Sequence, residues 1–414
     1  MKKQRKQLAR YIAHRINLKS LDSSRPILQY IADHGRVTLS QVASALHLSR
    51  GTSNLHLQRL EHEQYIRRYE SRRRGAGRPT VIWGWDEPLN LTLSLVFDVP
   101  FLHASIADFG LNAVLREARD LSGFTSRDEL RAIVQEFATR ARTLASQRGA
   151  HIRQTMIYLP GLLDPVSGVV RKAANFPLLE GMDFRRMLTE PTGAPCLSAP
   201  LGLPFYTGES EFLPAHANTM VIYWDLGVGV VFGHGDRLSS LGVSPEDGAP
   251  TLPELGHIRI EKNGRPCQCG RKGCLEAYTG GWALMDLLRR KSAPRLGDYI
   301  RLVQHGDPEA LRLAHGAAET LGRHLAWPLQ LMRTDHIRVC GPMAPVFEEV
   351  AASFTQGLAG ILSQDEIKQL HIQVSPAREE RFQRGAHRLA RRLCTHQDDY
   401  SLLLRTPESL SGRT

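Results

Sequence analysis

The feature that most constrains this chain is a short segment holding one histidine and three cysteines. His257 is followed, after a spacer of nine residues, by Cys267, Cys269 and Cys274. Three thiolates and one imidazole complete the tetrahedral shell that Zn²⁺ prefers, and a full shell leaves no open position for a reactive water. We therefore expect a structural zinc site formed by these four residues. A chance cluster of cysteines or a redox pair is the alternative.

Positive charge is concentrated at the N-terminal end of the chain. Residues 1–83 contain 17 Lys or Arg and 5 Asp or Glu, whereas the remaining residues contain 36 and 37. A basic module on a neutral body is typical of nucleic-acid binding, because neutralised phosphates release counterions. A solvated basic tail is the alternative at this stage.

The chain has no stretch typical of export or membrane insertion. Its first residues, MKKQRKQLAR, are polar and cationic. The apolar run of about 7–15 residues that a secretory signal needs is missing, as are the roughly 20 apolar residues of a membrane span. An apolar share of 42% is ordinary for packed domains. We expect a cytoplasmic protein of several domains.

Residues 26–83 have the pattern of a winged helix-turn-helix. Apolar spacing and capping residues predict three short helices, and two strand-like segments flank a loop rich in Arg and Gly. In the second helix Val42, Ala45 and Leu46 should face inward, and in the third Leu57 and Leu60. The helices are expected at 26–31, 38–46 and 49–62, the strands at 65–69 and 81–83, and the wing at 71–79.

The same pattern predicts which side chains contact DNA. The first turn of the third helix is where base-edge contacts usually arise, and wing arginines suit a narrow, strongly negative minor groove. The predicted DNA-binding residues are Arg50, Thr52, Asn54, Arg59, Arg72, Arg73, Arg74 and Arg78. As an alternative for any single residue, the side chain contacts only phosphate or solvent. As an alternative for the whole module, the winged helix binds protein instead of DNA.

Beyond residue 85 strand-like and helical segments alternate, as in an α/β protein. The clearest strands are expected at 93–97, 155–159, 220–224 and 336–340, and the clearest helices at 127–147 and 308–333.

The arrangement E-x-G-H…C-x-C-G-x-x-G-C-x-E over residues 254–276 is similar to the signature of the ROK family of repressors, open reading frames and sugar kinases. Asn175 in Ala-Asn-Phe-Pro, Gly227 and Gly229 in Asp-Leu-Gly-Val-Gly, and the segment 339–342 resemble further family motifs. The resemblance implies an actin-like, hexokinase-like α/β fold. We therefore expect a winged helix over residues 1–85, a first α/β lobe over 86–200, and a second lobe over 201–414 with the zinc motif and C-terminal helices.

The resemblance also implies a sugar site. Asn175, Glu254, His257 and Glu276 match residues that hydrogen-bond sugar hydroxyls in the family, with His257 also binding zinc through its other ring nitrogen. A metal-bound imidazole has a fixed orientation, so one ion would serve both purposes. For the two glutamates, solvated acids beside a zinc loop are the alternative.

Two elements of the family's kinases are replaced. Where those enzymes have Asp-x-Gly-Gly-Thr after the first strand, to close backbone N–H groups around phosphate, this chain has Asp98-Val99-Pro100-Phe101. Where they have the Asp that acts as general base, the best alignment gives Leu201. We therefore expect no catalytic residues and no kinase activity. The sugar pocket either takes an altered ligand, which we favour, or has lost its effector.

Together these features predict a sugar-responsive DNA-binding transcriptional regulator, similar to repressors of xylose, glucose or N-acetylglucosamine use. Its partners would be operator DNA, a sugar or sugar derivative, and a second copy in a homodimer or tetramer, because paired half-sites need paired reading helices. A ROK-type sugar kinase fused to a DNA-binding domain and a protein-binding scaffold are the alternatives.

Overall fold

The computed structural model describes residues 23–70, 80–164, 168–173, 176–239, 242–243, 250–251, 254–288, 295–375, 379–395 and 404–405. Of the predicted site residues, Arg72, Arg73, Arg74, Arg78 and Asn175 lie outside these ranges. The chain divides into two compact units, each treated by itself below. The first comprises residues 1–172, 178–201 and 386–400, and the second comprises 173–177, 202–385 and 401–414.

The first unit begins with the predicted winged helix-turn-helix. Ser49 caps the third helix by accepting a hydrogen bond from the Thr52 N–H, and Thr38 caps the second in a capping box with Gln41. The three strands form an antiparallel sheet of order β1-β3-β2. The elements are α1 (Arg25–His34), β1 (Val37–Thr38), α2 (Leu39–Ala45), α3 (Arg50–His62), β2 (Ile66–Glu70) and β3 (Val81–Trp85).

The core of this module contains the predicted inward residues of α3, Leu57 and Leu60, both fully buried. In α2 the prediction was wrong at Ala45, which is exposed, whereas Ala43 is buried. The buried face is centred on Val42, Ala43 and the partly buried Leu46, and Ala45 lies roughly 100° from its centre at 100° per residue.

A five-stranded sheet follows in the same unit, of order β10-β7-β4-β5-β6. Its middle strand β4 is buried along almost its whole length, pairs antiparallel with β5 and pairs parallel with β7. The sheet consists of β4 (Asn90–Asp98), β5 (Phe101–Asp108), β6 (Ala113–Asp120), β7 (His151–Leu159) and β10 (Cys196–Pro200). The unit also contains two helices, α4 (Arg127–Gln147) and α5 (Phe184–Thr192), and a separate strand pair, β8 (Leu162–Leu163) and β9 (Val170–Lys172).

The second unit contains a six-stranded sheet of order β17-β16-β11-β12-β13-β18. Its strands are β11 (Asn218–Trp224), β12 (Val228–His234), β13 (Arg237–Ser239), β16 (His336–Cys340), β17 (His371–Val374) and β18 (Leu404–Arg405), with β14 (Gly242–Val243) and β15 (Pro250–Thr251) as a separate pair. In each sheet the first three strands along the chain form two antiparallel hairpins. Two later strands then pair in parallel on the other side of the first strand. Apart from the additional strand β18, the two sheets therefore share one strand order, which is that of the actin-like and hexokinase-like fold.

Helices cover the second sheet, and a long pair forms its main core. The helix α10 begins at Pro308 behind the N-cap Asp307 and packs against α11 where Gly322 faces the Phe354 carbonyl. The helices are α6 (Gly202–Ser210), α7 (Glu276–Thr279), α8 (Gly281–Leu287), α9 (Leu296–Gln304), α10 (Pro308–Leu331), α11 (Ala344–Ala359), α12 (Gln364–Gln369) and α13 (Glu379–Thr395), whose second half belongs to the first unit. None of the helices in the described ranges is long and apolar enough to cross a membrane.

Candidate metal centre and nucleic-acid interface

The predicted metal ligands come together in the second unit. His257 ends a 3₁₀ turn (Leu255–His257), and the cysteines follow in a loop that folds back on it. Gly273 makes this fold possible, because it has φ +76° and a Cβ there would lie 1.7 Å from the Glu261 carbonyl oxygen. The loop thus brings Cys274 back beside Cys269.

The geometry of the cluster fits a tetrahedral ion. One ligand atom from each of His257, Cys267, Cys269 and Cys274 lies within 4.8 Å of all the others. Cys267 Sγ is 3.6 Å from His257 Nδ1, and Cys269 Sγ is 3.6 Å from Cys274 Sγ. Sulfur atoms bound to one zinc at about 2.3 Å lie roughly 3.8 Å apart, so the four groups need little movement to hold the metal.

The three thiols of the cluster differ in their pKa. Burial alone raises the pKa of the Cys269 thiol, but hydrogen bonds from Arg271 and the neighbouring thiols lower that pKa overall to about 6. Burial raises the pKa of Cys267 to about 12 and also raises that of Cys274. A bound metal would therefore displace protons, since the thiolate is the ligand form.

Glu276 has a structural environment that the sequence did not indicate. It is 3% exposed at the start of α7, where Oε2 accepts a hydrogen bond from the Val228 N–H at 3.1 Å and Oε1 accepts one from Trp282 Nε1 at 3.3 Å. Gly256 packs against the same strand, because a Cβ there would lie 2.3 Å from the Val228 carbonyl oxygen. Glu276 and Gly256 thus both contact the start of β12 beside the metal loop.

The other predicted sugar residues are less closely defined. Glu254 is exposed as a residue, although surrounding protein desolvates its carboxyl and raises its pKa against the opposing effect of His257. The His257 ring turns Nδ1 toward the thiols, which leaves Nε2 for a ligand. Asn175 lies outside the described residues.

The two segments that the sequence aligns with the kinase elements contain Pro100 and Leu201. The turn after β4 contains Pro100, which has no N–H and whose carbonyl accepts from Leu121. Leu201, which follows β10, is half-buried and donates its N–H to the Leu159 carbonyl. In the second glycine-rich turn, burial raises the pKa of the Asp225 carboxyl to about 6.

The N-terminal turn of α3 presents polar groups in the first unit. Arg50 and Thr52 are exposed, and Asn54 is half-buried. Arg50 donates to Ser40 Oγ at 3.1 Å, which orients its guanidinium across α2. Arg59, at the other end of the helix, forms an ion pair with Glu63 at 3.1 Å.

One apolar residue on α3 stands out. Leu55 is 65% exposed, although leucines of this size are usually buried in a small module. The sequence pattern does not predict a role for Leu55. A methyl-rich side chain beside polar contacts is the type that meets a thymine methyl in the major groove.

Two family profiles match the chain. The ROK family profile matches residues 104–392, and a winged helix-turn-helix DNA-binding profile matches residues 22–67. A winged helix-turn-helix followed by a duplicated α/β body of the actin and hexokinase type defines the class of this protein. The chain belongs to the ROK family, because that profile spans well over half of it.

Named relatives include both kinases and repressors. The glucokinase of Thermotoga maritima is 27% identical over 44% of this chain and 61% of its own length. The DNA-binding transcriptional repressor Mlc of Escherichia coli is 22% identical over 61% of this chain and 64% of its own length. The chain thus covers less than two thirds of either relative. A crystal structure of a ROK family transcriptional regulator, described as a homologue of Mlc, has the same fold with a TM-score of 0.69, 18% identity, and coverage of 87% of this chain and 92% of that one.

Proposed function

We propose that the chain is a DNA-binding transcriptional regulator, acting as a cytoplasmic repressor of carbohydrate-use genes, and that its ROK body binds a sugar or sugar derivative without phosphorylating it. The observation that carries this proposal is the joining of a capped, outward-facing α3 to a ROK body with Pro100 and Leu201 in the two kinase positions.

The proposed interface with DNA has two parts. Arg50, Thr52 and Asn54 in the first turn of α3 would contact base edges, with Arg59 nearer the backbone. The wing arginines Arg72, Arg73, Arg74 and Arg78 would enter the minor groove, which the net positive charge of residues 1–83 supports.

The proposed absence of kinase activity has a direct physical basis. Pro100 removes a backbone donor from the first phosphate turn, and Leu201 cannot accept a proton from a sugar hydroxyl.

We assign zinc a structural role. His257, Cys267, Cys269 and Cys274 would hold it, and the bound ion would brace the loop and fix the His257 ring. Nε2 of that ring, with Asn175, Glu254 and Glu276, would then bind sugar hydroxyls. For Glu276 this requires an oxygen that accepts a second hydrogen bond, since each oxygen already accepts one.

The regulator would act as a homodimer or a dimer of dimers. Two α3 helices at fixed spacing read paired half-sites. A sugar that binds more tightly to a state with a different helix spacing lowers the affinity for DNA. The size of this effect is set by the ratio of the sugar's affinities for the two states.

The test begins with duplexes selected from a random library by the purified chain. Binding of the selected duplex is then measured with and without a panel of monosaccharides and sugar phosphates. We expect one sugar class both to bind and to weaken the complex. A chain that enriches no duplex contradicts the DNA-binding role, and a complex indifferent to every sugar that binds contradicts the regulatory role.

A sugar kinase fused to a DNA-binding domain is the second candidate, favoured by the glycine turn at 227–229 and by the glucokinase relative. It predicts sugar-dependent conversion of ATP to ADP by the purified chain, with the phosphoryl group transferred to a sugar hydroxyl. We expect none above the rate without sugar.

A further inference from the structure

Two polar side chains at one end of the first sheet hold the backbone that leaves the recognition helix α3. Asn90, the first residue of β4, is completely buried. Arg153 lies half-buried near the start of the adjacent parallel strand β7, where Asn90 is paired with His151. Both strands therefore begin beneath the end of α3.

Asn90 forms hydrogen bonds with backbone carbonyls that follow α3 and with one that follows β3. Its Nδ2 lies 2.9 Å from the Gln64 carbonyl oxygen, 3.2 Å from that of Tyr65 and 2.7 Å from that of Asp86. Its Oδ1 accepts a hydrogen bond from Arg153 Nε at 2.6 Å, so the orientation of the amide is defined by its partners. Carbonyls that follow a helix need such donors when they are buried.

Arg153 completes the contact. Its Nη2 donates to the Glu63 carbonyl at 2.7 Å, and its guanidinium lies 3.7 Å from the centre of the Tyr65 ring, in cation–π geometry. Residues 63–65 directly follow α3, and Asn90 and Arg153 together bind all three of their carbonyls. We call Asn90 and Arg153 the joint.

Apolar contacts support the joint. Phe109, from the turn after β5, is fully buried in the core of the winged module and meets Trp85 edge-on at 5.0 Å. Cys394 of α13 packs against the same core. Within the first unit, α3 is therefore held by the α/β sheet and does not depend on the chain connection alone.

We propose that Asn90 and Arg153 are positioning residues for DNA recognition: they fix the angle of α3 on the five-stranded sheet of the first unit and so set operator affinity without touching DNA. This role rests on the proposed DNA-binding function. A recognition helix that is already held in its bound orientation loses less entropy when it binds DNA. A helix that is no longer held makes fewer specific base contacts but keeps the charge that attracts any duplex.

The test compares three variants that each lower the net charge by one. Asn90→Asp turns a carboxylate oxygen toward carbonyl oxygens, Arg153→Gln removes the ring contact, and Arg186→Gln alters an exposed arginine at the start of α5 as the control. Affinity for the selected duplex and for a scrambled duplex is measured across a salt series. Hydrogen exchange of residues 60–66 is measured without DNA.

We expect N90D and R153Q to bind the selected duplex about tenfold more weakly than R186Q, with unchanged scrambled-duplex affinity, unchanged salt slope and faster exchange. Equal affinity in all three variants overturns the positioning role. Hydrogen exchange of residues 60–66 at the wild-type rate in N90D and R153Q also overturns it. A salt slope reduced by about 0.9 in R153Q alone overturns it by assigning Arg153 to a phosphate.

Folding and function are separated within the same experiment. Far-ultraviolet circular dichroism and thermal unfolding report whether each variant folds. Arg153→Lys keeps the charge and is expected to give an intermediate loss if R153Q does not fold. A wild-type chain that enriches no duplex contradicts the proposed function, whereas enrichment with undiminished binding by N90D and R153Q contradicts the joint alone.

Discussion

His387 is a buried histidine whose surroundings keep it neutral. Its Nδ1 is 2.7 Å from Thr92 Oγ1 and its Nε2 is 2.9 Å from Ser105 Oγ, so both ring nitrogens have partners inside the first unit. Burial lowers its pKa from 6.5 to about 3, with a smaller contribution from Arg116. In the unfolded chain the same ring would bind a proton below a pH of about 6.5.

This difference makes stability depend on pH. Between the two pKa values the unfolded state binds one proton more than the folded state, so the free energy of unfolding falls as the pH falls below about 6.5. We expect the His387→Gln variant to lose this dependence, with a slope smaller by up to about 1.4 kcal/mol per pH unit. Urea unfolding at several pH values between about 5 and 7.5 measures it. Parallel slopes for variant and wild type would disprove the assignment.

The metal cluster can be tested at a single sulfur. Cys269→Ser removes one ligand, and we expect zinc to fall from about one per chain to well below that, with a lower melting temperature. Cys196→Ala is the matched control, because Cys196 is buried in β10 outside the cluster. Metal analysis after dialysis gives the stoichiometry. Full zinc retention by C269S would exclude it as a ligand.

At the scale of elements, the pair α10 and α11 depends on close backbone approach. A Cβ on Gly322 would lie 2.0 Å from the Phe354 carbonyl oxygen, whereas a Cβ on Gly316, in the same helix, would meet nothing within 4 Å. Gly322→Ala should therefore destabilise the second unit by roughly 1–3 kcal/mol. Gly316→Ala should stabilise it by up to about 1 kcal/mol. Thermal unfolding that ranks the two variants the other way would contradict this packing.

The outward face of α3 yields a second element-scale prediction. If Leu55 contacts a thymine methyl, replacing thymine by uracil in the selected duplex should weaken wild-type binding about fourfold, the value of one buried methyl group. The Leu55→Ala variant should not respond to the replacement. Leu331→Ala, which alters an 80% exposed leucine on α10, serves as the control and should respond as the wild type does. Equal responses in all three proteins would leave Leu55 without this contact.

The limits of single helices and strands could be predicted from the sequence better than the contacts between them. The strand at 336–340 and the helix at 127–147 have the predicted limits, because each has strong apolar periodicity or a clear cap. The shared strand order of the two sheets was implied only by the family resemblance, since pairing between distant strands leaves no local pattern. For the same reason the burial of Glu276 and the contacts of Asn90 became visible only in the folded chain.

On the scale of the whole molecule, the last described helix supports the first unit. Arg391 donates to the Phe109 carbonyl, and Tyr158 donates its hydroxyl to the Ala386 carbonyl. Together with His387 these contacts attach the second half of α13 to the sheet that carries the winged module. The DNA-binding end of the sequence therefore depends on residues near the other end.

Truncation tests this dependence. A chain ending at Gly385 should retain zinc, because the cluster lies in the second unit, but should lose detectable binding to the selected duplex. A chain ending at Arg405, which keeps α13 and β18, is the control and should bind as the full chain does. Undiminished DNA binding by the shorter chain would refute the dependence.

The packing of Cys394 against the winged-module core has a consequence for biosynthesis. The ribosome makes the helices of the winged module first, yet Cys394, which packs against their core, is translated hundreds of residues later. During that interval the emerging module exposes apolar surface that the finished protein covers. In a nascent chain, the part of the core that Cys394 covers therefore stays uncovered until α13 has left the exit tunnel.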